Sequence, residues 1–273
     1  GIQPAASITR HLSQRVQPMS SRPLRGGDRP QAGHHDSESS GSSAGSADAL
    51  RWEPSAGCAQ CAIRQQTLFA ALRDSDLEHL QGSICSAVIP VGTVLYREDE
   101  PAAAVYTLGY GLIKLIKHSP AGERIVRLLG PGAAAGLEAY FGGHYRHTAV
   151  AMRPSELCRI PMELLRELKR QNGGLADQVL AQWEQQLESA DRWLAELSQG
   201  TVPDRVQRLV WILAEMEADG RHLVELPPMA DLASILGSSR ESVSRALSGL
   251  ERAKALRRVA ARTYAFEQES RRH

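Results

Sequence analysis

The 273-residue chain carries 32 Lys and Arg against 31 Asp and Glu, a formal net charge of +1, with 42% hydrophobic residues. That length predicts about two domains and is enough to bury a sizeable core. It has no apolar run of about 18 residues and no apolar core after its basic start; this argues against a membrane-spanning helix and a secretory signal, and a soluble, cytoplasmic protein is expected.

Residues 1–50 mix Ser, Gly, Pro, Arg and His and end in "DSESSGSSAGSAD", a composition expected to form a disordered tail because it offers too little apolar surface to offset ordering. Arg10, Arg15, Arg22, Arg25 and Arg29 face Asp28 alone in its first thirty positions, which also mimics an organelle transit peptide. Residues 51–170 are expected to hold an N-terminal segment and a β-rich domain, 171–200 a long helix, and 201–273 a C-terminal domain. A short helix broken near Asp74 is expected over Thr67–Leu80. Between Val88 and Ile160, short alternating runs such as "VLYRE" and "RIVRLL" are cut by Gly92, Gly109, Gly111, Gly122, Gly130 and Gly132; this texture predicts an antiparallel barrel or jelly roll.

Ala176, Leu180, Trp183, Leu187, Ala190, Leu194 and Leu197 step by alternating fours and threes, the spacing of a heptad seam. A homodimer seam is expected, with packing of this face on the barrel as the plainer reading. Setting Leu180, Leu187 and Leu194 at a puts Asp177, Glu184 and Asp191 at e, with Val179, Gln186 and Trp193 at g, so no base answers the acids. After "SQGTVPD" a further helix is expected from Asp204, as cap, to about Ala218.

"MADLASILGSSRESVSRALSGL" carries the strongest signal. Gly237 is suited to the left-handed turn that ends one helix, Ser238 or Ser239 caps the next, and Ala233 is small where two helices would cross. Leu232, Leu236, Val243, Leu247 and Leu250 form the shared core. Arg240, Glu241, Ser244, Arg245 and Ser248 are left on the outer face, with Ser239 at the cap. Arg suits guanine O6 and N7, Glu accepts from cytosine N4, and Ser bonds several bases, so this pattern reads as a recognition helix for duplex DNA. "ALRRVAARTYAF" reads as a two-strand wing whose Lys254, Arg257 and Arg258 would lie along phosphates. From Arg240 to Arg262 seven bases face two acids.

In "RESVSRAL", and over about residue 58 to the end, the chain resembles the CRP/FNR family of bacterial transcription regulators. The resemblance implies an α+β fold: a cyclic-nucleotide-binding-like β jelly roll, a long dimerisation helix and a C-terminal winged helix-turn-helix. It implies a homodimer, double-stranded DNA and RNA polymerase as partners, no enzymatic activity and no membrane. Glu241, Ser244 and Arg245 resemble the FNR branch, which implies a TTGAT-like half-site read twice; Arg240 is similar to the CRP branch. Cyclic-nucleotide-binding members pair Gly-Glu-Leu with Arg-Ser or Arg-Thr, whereas here Gly136, Leu137 and Glu138 shift the acid by one place and His147 precedes Thr148, so such binding is not expected.

By the same resemblance Cys58, Cys61 and Cys158 fall on three of the four cluster-ligand positions of FNR, and Thr67 stands where the remaining cysteine would be. The chain has four cysteines, and Cys85 is expected to complete a four-iron four-sulfur site that senses oxygen or redox state. The open alternatives are thiol or disulfide redox sensing, zinc, haem through His144 or His147, and no ligand, with Cys85 and Cys158 as small core residues. A rival from another class is a Cys58-x2-Cys61 thiol-disulfide oxidoreductase, which would need a parallel strand-helix-strand setting.

Overall fold

Residues 50–266 are described by a computed structural model, apart from 56–60, 62, 71, 79, 81, 121, 172 and 218–222. The tail expected over residues 1–50 therefore lies outside the described residues except for Leu50. Strand β1 (Glu53–Pro54) leads to a 3-10 turn at Arg64–Gln66, helix α1 (Asp74–Glu78) and strand β2 (Cys85–Ile89), which pairs back with β1. The helix expected over Thr67–Leu80 is shortened to five residues. Thr67 is one reason: its buried hydroxyl donates to the Arg64 carbonyl at 2.8 Å and accepts from the Phe69 amide at 3.2 Å, which holds this stretch in turns.

Strands β3 (Val94–Tyr96), β4 (Ala104–Tyr110), β5 (Ile113–Ser119), β6 (Gly122–Leu129) and β7 (Ala134–Ala135) follow, then helix α2 (Ala139–Gly142) and strands β8 (Thr148–Ala151) and β9 (Ser155–Pro161). They form two antiparallel sheets, β1-β2-β9-β4-β7 and β3-β8-β5-β6, and so build the expected roll. Ile113 and Leu115 point inward while Lys114 and Ile116 are only partly covered, which is the period-two pattern of a strand with one face in the core. The β4–β5 turn needs glycine: Gly111 has φ +105°, and a Cβ there would collide with the Ser155 side chain.

Helix α3 (Met162–Gln171) leads into α4 (Gly173–Leu197), 25 residues long. Its roll-facing side is Leu175, Val179, Gln182 and Gln186. Gln178, Gln182 and Gln186, one helical turn apart, donate to the carbonyls of Thr67 (3.1 Å), Gln66 (2.8 Å) and Ala134 (2.8 Å). Most of the heptad seam points elsewhere: Leu180, Trp183, Leu187 and Leu194 are 39–66% exposed, and Ala190 is half-buried. The reading in which the seam packs on the roll is thereby removed, and Leu197 is corrected, since it is buried in the C-terminal core instead of extending the seam.

Helix α5 (Val202–Glu217) starts two residues before the expected cap. Thr201 is the cap, and Asp204 reaches back to its amide (2.9 Å) and hydroxyl (2.6 Å), a reciprocal arrangement that places the acid inside the first turn. Strand β10 (Leu223–Glu225), helices α6 (Met229–Leu236) and α7 (Arg240–Arg252), and strands β11 (Leu256–Arg258) and β12 (Thr263–Phe266) complete the chain. The wing is three-stranded, β10-β12-β11. Its third member, "LVE", was too short to register as a strand in the sequence.

Two apolar cores result, and the second crosses the boundary drawn at residue 200. Leu112, Ile125, Leu128 and Met152 of the roll pack with Leu213, Leu232, Ile235, Leu236 and Val243. Polar contacts fasten the same junction: Lys114 Nζ meets Asp231 Oδ1 at 2.7 Å with both side chains under a fifth exposed, and the Ile125 amide donates to Ser234 Oγ at 3.0 Å. Replacing Lys114 with Ala leaves a partly buried carboxylate without its cation, so denaturant unfolding is expected to show a loss of about 1.5 kcal/mol.

Candidate nucleic-acid interface

Helix α6 ends where Gly237 takes φ 55° and ψ 45°, the left-handed conformation that the sequence required of it. The Ser238 amide then returns to the Ala233 carbonyl at 3.0 Å, which closes the turn. Of the two candidate caps it is Ser239 that acts: extended at φ −75° and ψ 153°, it accepts from the Ser242 amide at 3.2 Å. Val243, Ala246, Leu247 and Leu250 bury one side of α7. Arg240, Glu241, Ser244, Arg245 and Ser248 are all exposed on the other, so the sequence-derived reading face is brought together as one surface.

The charges on that face hold one another in place. Backbone and Ser239 hydroxyl hydrogen bonds, aided by Arg240 and Arg245, keep the Glu241 carboxyl below its ordinary range, so it is an acceptor at neutral pH. Arg245 Nη2 donates to Ser242 Oγ at 3.3 Å, and the residue stays exposed. The two wing arginines differ. Arg258 is tied to Glu251 (Nε 3.1 Å, Nη2 3.0 Å) and lies over the Tyr264 ring at 5.4 Å, so before it can contact phosphate it must exchange those partners. Arg257 is exposed on the opposite face of the same strand, because the two residues pair with Ala265 and Tyr264 in consecutive register positions.

In the roll, Glu138, His147 and Thr148, where the sequence departs from the nucleotide-binding pattern, bond to one another or to neighbouring backbone. Glu138 Oε1 lies 3.2 Å from His147 Nδ1, both largely buried. Burial alone raises the Glu138 carboxyl, but the His147 hydrogen bond and nearby backbone amides outweigh it and hold it low. The Thr148 hydroxyl accepts from the Glu98 amide at 3.0 Å. Tyr96 stacks on Tyr145 at 3.8 Å and on Tyr106 at 6.0 Å, filling the interior between the sheets.

The cysteines do not assemble into the expected four-thiolate set. Cys58 lies outside the described residues, and Cys61, Cys85 and Cys158 are half-buried. Cys85 pairs with Arg159 and Ser86 with Cys158 on adjacent antiparallel strands. Consecutive positions alternate faces, so Cys85 and Cys158 lie on opposite sides of the sheet. The same ladder puts Tyr106 opposite Arg159, and Tyr106 stacks on Tyr96 of the facing sheet, so Cys85 lies on the interior face. Cys158 shares the outer face with Thr107. Among the described residues no three His, Cys, Asp or Glu side chains gather as a metal site. Bringing Cys85 to Cys158 would require breaking the β2–β9 ladder, so an iron-sulfur cluster on Cys58, Cys61, Cys85 and Cys158 does not fit this arrangement. Among the described residues every strand pair of the roll and wing is antiparallel, so they hold no parallel setting of the kind a thiol-disulfide oxidoreductase needs. No helix among the described residues is long and apolar enough to cross a membrane.

Comparison with known proteins agrees with this architecture. The cyclic nucleotide-binding domain model matches residues 88–172, and the Crp-like helix-turn-helix domain model matches residues 207–266. The anaerobic regulatory protein of Pasteurella multocida is 24% identical over 201 residues, 71% of this chain and 74% of that one. The transcriptional activator protein anr of Pseudomonas aeruginosa is 25% identical over 202 residues, covering 72% and 83%. Among solved structures, FixK2 from Bradyrhizobium japonicum is similar with a TM-score of 0.63 and 25% identity over 69% of this chain and 94% of its own. A CRP-family transcriptional regulator from Thermus thermophilus is similar at 0.58 and 25%, over 66% and 91%. With a roll, a long helix and a capped reading helix in the order those proteins share, the chain belongs to the CRP/FNR family of DNA-binding transcription regulators.

Proposed function

We propose that this regulator binds DNA as a homodimer and reads a TTGAT-like palindrome. One observation carries the reading: a serine-capped helix buries Val243, Leu247 and Leu250 and turns Arg240, Glu241, Ser244 and Arg245 to solvent. An arginine fork and a glutamate on one helical face match guanine and cytosine edges in a major groove. Ser239 and Ser248 flank them, and Arg257 of the wing supplies phosphate contact. RNA polymerase is the expected partner on the family resemblance.

The stripe Leu180, Trp183, Leu187, Ala190 and Leu194 supports the dimer, since one side of the helix is already packed and bonded on the roll while this apolar side stands largely in water. Two recognition helices then meet successive major grooves one turn apart. The acids at Asp177, Glu184 and Asp191 are exposed beside that stripe and weaken the pairing.

An oxygen or redox input is the finer part of the proposal. Relatives carry the names anaerobic regulatory protein and fumarate and nitrate reduction regulatory protein. The turn that follows Cys61 is bonded to α4 through the Gln66 and Thr67 carbonyls, which gives thiol chemistry at the C-x2-C segment a path to the dimer helix. This reading replaces the four-iron four-sulfur site. Protein purified without air is expected to be colourless, free of iron and sulfide, and to change its operator affinity on thiol oxidation. Stoichiometric iron and sulfide would contradict it and restore the cluster.

Replacing Glu241 or Arg245 with Ala is expected to lower discrimination between the operator and single-base variants by about 1–3 kcal/mol in titrations with labelled duplex. Arg257→Ala is expected to weaken all duplexes alike. By sedimentation, Leu187→Ala is expected to raise the dimer dissociation constant and Asp191→Ala to lower it. An unchanged constant in both would remove the α4 dimer.

A further inference from the structure

We propose that the sensor roll itself touches the DNA, through Arg124 on β6, which donates to a backbone phosphate beside the recognition helix. The inference rests on the DNA-reading assignment above and extends that interface to a residue outside the helix-turn-helix.

The geometry begins with the shared core. Ile125 and Leu128 of β6 are buried with α6 and α7, and Ile125 is bonded to Ser234, so β6 is fixed relative to the reading helix. Arg124 precedes Ile125 and is exposed. Its guanidinium lies against the turn into α7: a Cβ built on Gly237 would stand 3.2 Å from Arg124 Nη2 and 3.6 Å from Cζ. A side chain at position 237 would press on that guanidinium by a few tenths of an ångström, while the left-handed turn is what requires the glycine. Gly237 is two residues before the cap Ser239 and three before Arg240, so the fork lies against the turn that leads into the proposed reading helix.

Charge supports the same role. On the β5–β6 ladder Arg124 stands directly opposite Lys117, an unfavourable like-charge pair for folding alone. Lys117 is neutralised by Glu98 and also donates to the Arg146 carbonyl at 3.0 Å. Glu123, the acid next in sequence, is turned to His118 at 3.1 Å. Among the described residues no carboxylate pairs with Arg124, which leaves its charge available. Phosphate is the ligand class that fits: a planar fork with several donors, solvent-facing and beside the turn that leads into the proposed reading helix. A phosphate contact carries no sequence information, so Arg124 would position the dimer and tie the orientation of each roll to bound duplex.

The test is the salt dependence of operator binding by the full chain, with Arg124→Ala, Arg124→Gln and Arg124→Lys compared on a TTGAT palindrome and on a scrambled duplex. One phosphate per protomer predicts that the slope of log K against log salt falls by about 1.8 for the dimer in the Ala and Gln variants, with affinity reduced alike on both duplexes. Arg124→Lys is expected to retain the slope. A purely structural role would lower the melting temperature and leave the slope unchanged; an unchanged slope in a folded Ala or Gln variant overturns the proposal. Should wild-type protein prefer neither duplex, the DNA-reading assignment itself fails first, a result separate from the slope.

Discussion

The junction between the roll and the reading head is the constraint on which the rest depends. Leu112, Ile125, Leu128 and Met152 are sensor residues by sequence, yet they are buried with Leu232, Ile235 and Val243 of the DNA-binding domain. Lys114 and Asp231 add an ion pair in partly desolvated surroundings, where losing either partner costs more than at an open surface. A recognition helix mounted on a floppy hinge would have to order itself at every encounter. Mounted on this core, its orientation is set by the roll before DNA arrives.

Helix α4 works through two faces of different chemistry. Toward the roll it offers Gln178, Gln182 and Gln186, whose amides bond the carbonyls of Thr67 and Gln66 in the N-terminal turns and of Ala134 on β7. On its other side it offers exposed leucines and, at the margin of the roll, Trp183 packed edge-on to Phe141 of α2 at 5.9 Å. Glutamine bonds are directional, whereas leucine contacts are not, so the helix is held in register against the N-terminal turn while its apolar side is left in solvent. A signal that moves the turn after Cys61 would thus be felt at the seam.

Much of this was legible in the chain. Gly237, the serine cap and the alternation of Val243 and Leu247 with exposed Arg240 and Ser244 are local devices, and local physics places them correctly. The roll was legible as a class from its glycine-cut strands, though not in its register, which depends on pairs up to tens of residues apart. Register is what overturned Cys85: four cysteines suggested four ligands, but a one-residue step between adjacent strands sends Cys85 and Cys158 to opposite faces. Leu197 kept the heptad spacing and still left the seam, because the second core claims it. Asp204 looked like a cap because it follows Pro203, whereas Thr201 was the better placed hydroxyl. Arg124 and the Lys114–Asp231 pair left no sequence signal, since the residues that give them meaning lie more than a hundred positions away.

The central claim is that two copies of this chain present α7 to duplex DNA at a spacing fixed by α4 and the shared core. The most direct measurement is selection of bound sequences from a pool of random duplexes by the purified 273-residue chain. The account predicts enrichment of an inverted repeat whose half-site centres lie about 10–10.5 base pairs apart. A pool that stays random, or one that yields single half-sites with no fixed spacing, would contradict it.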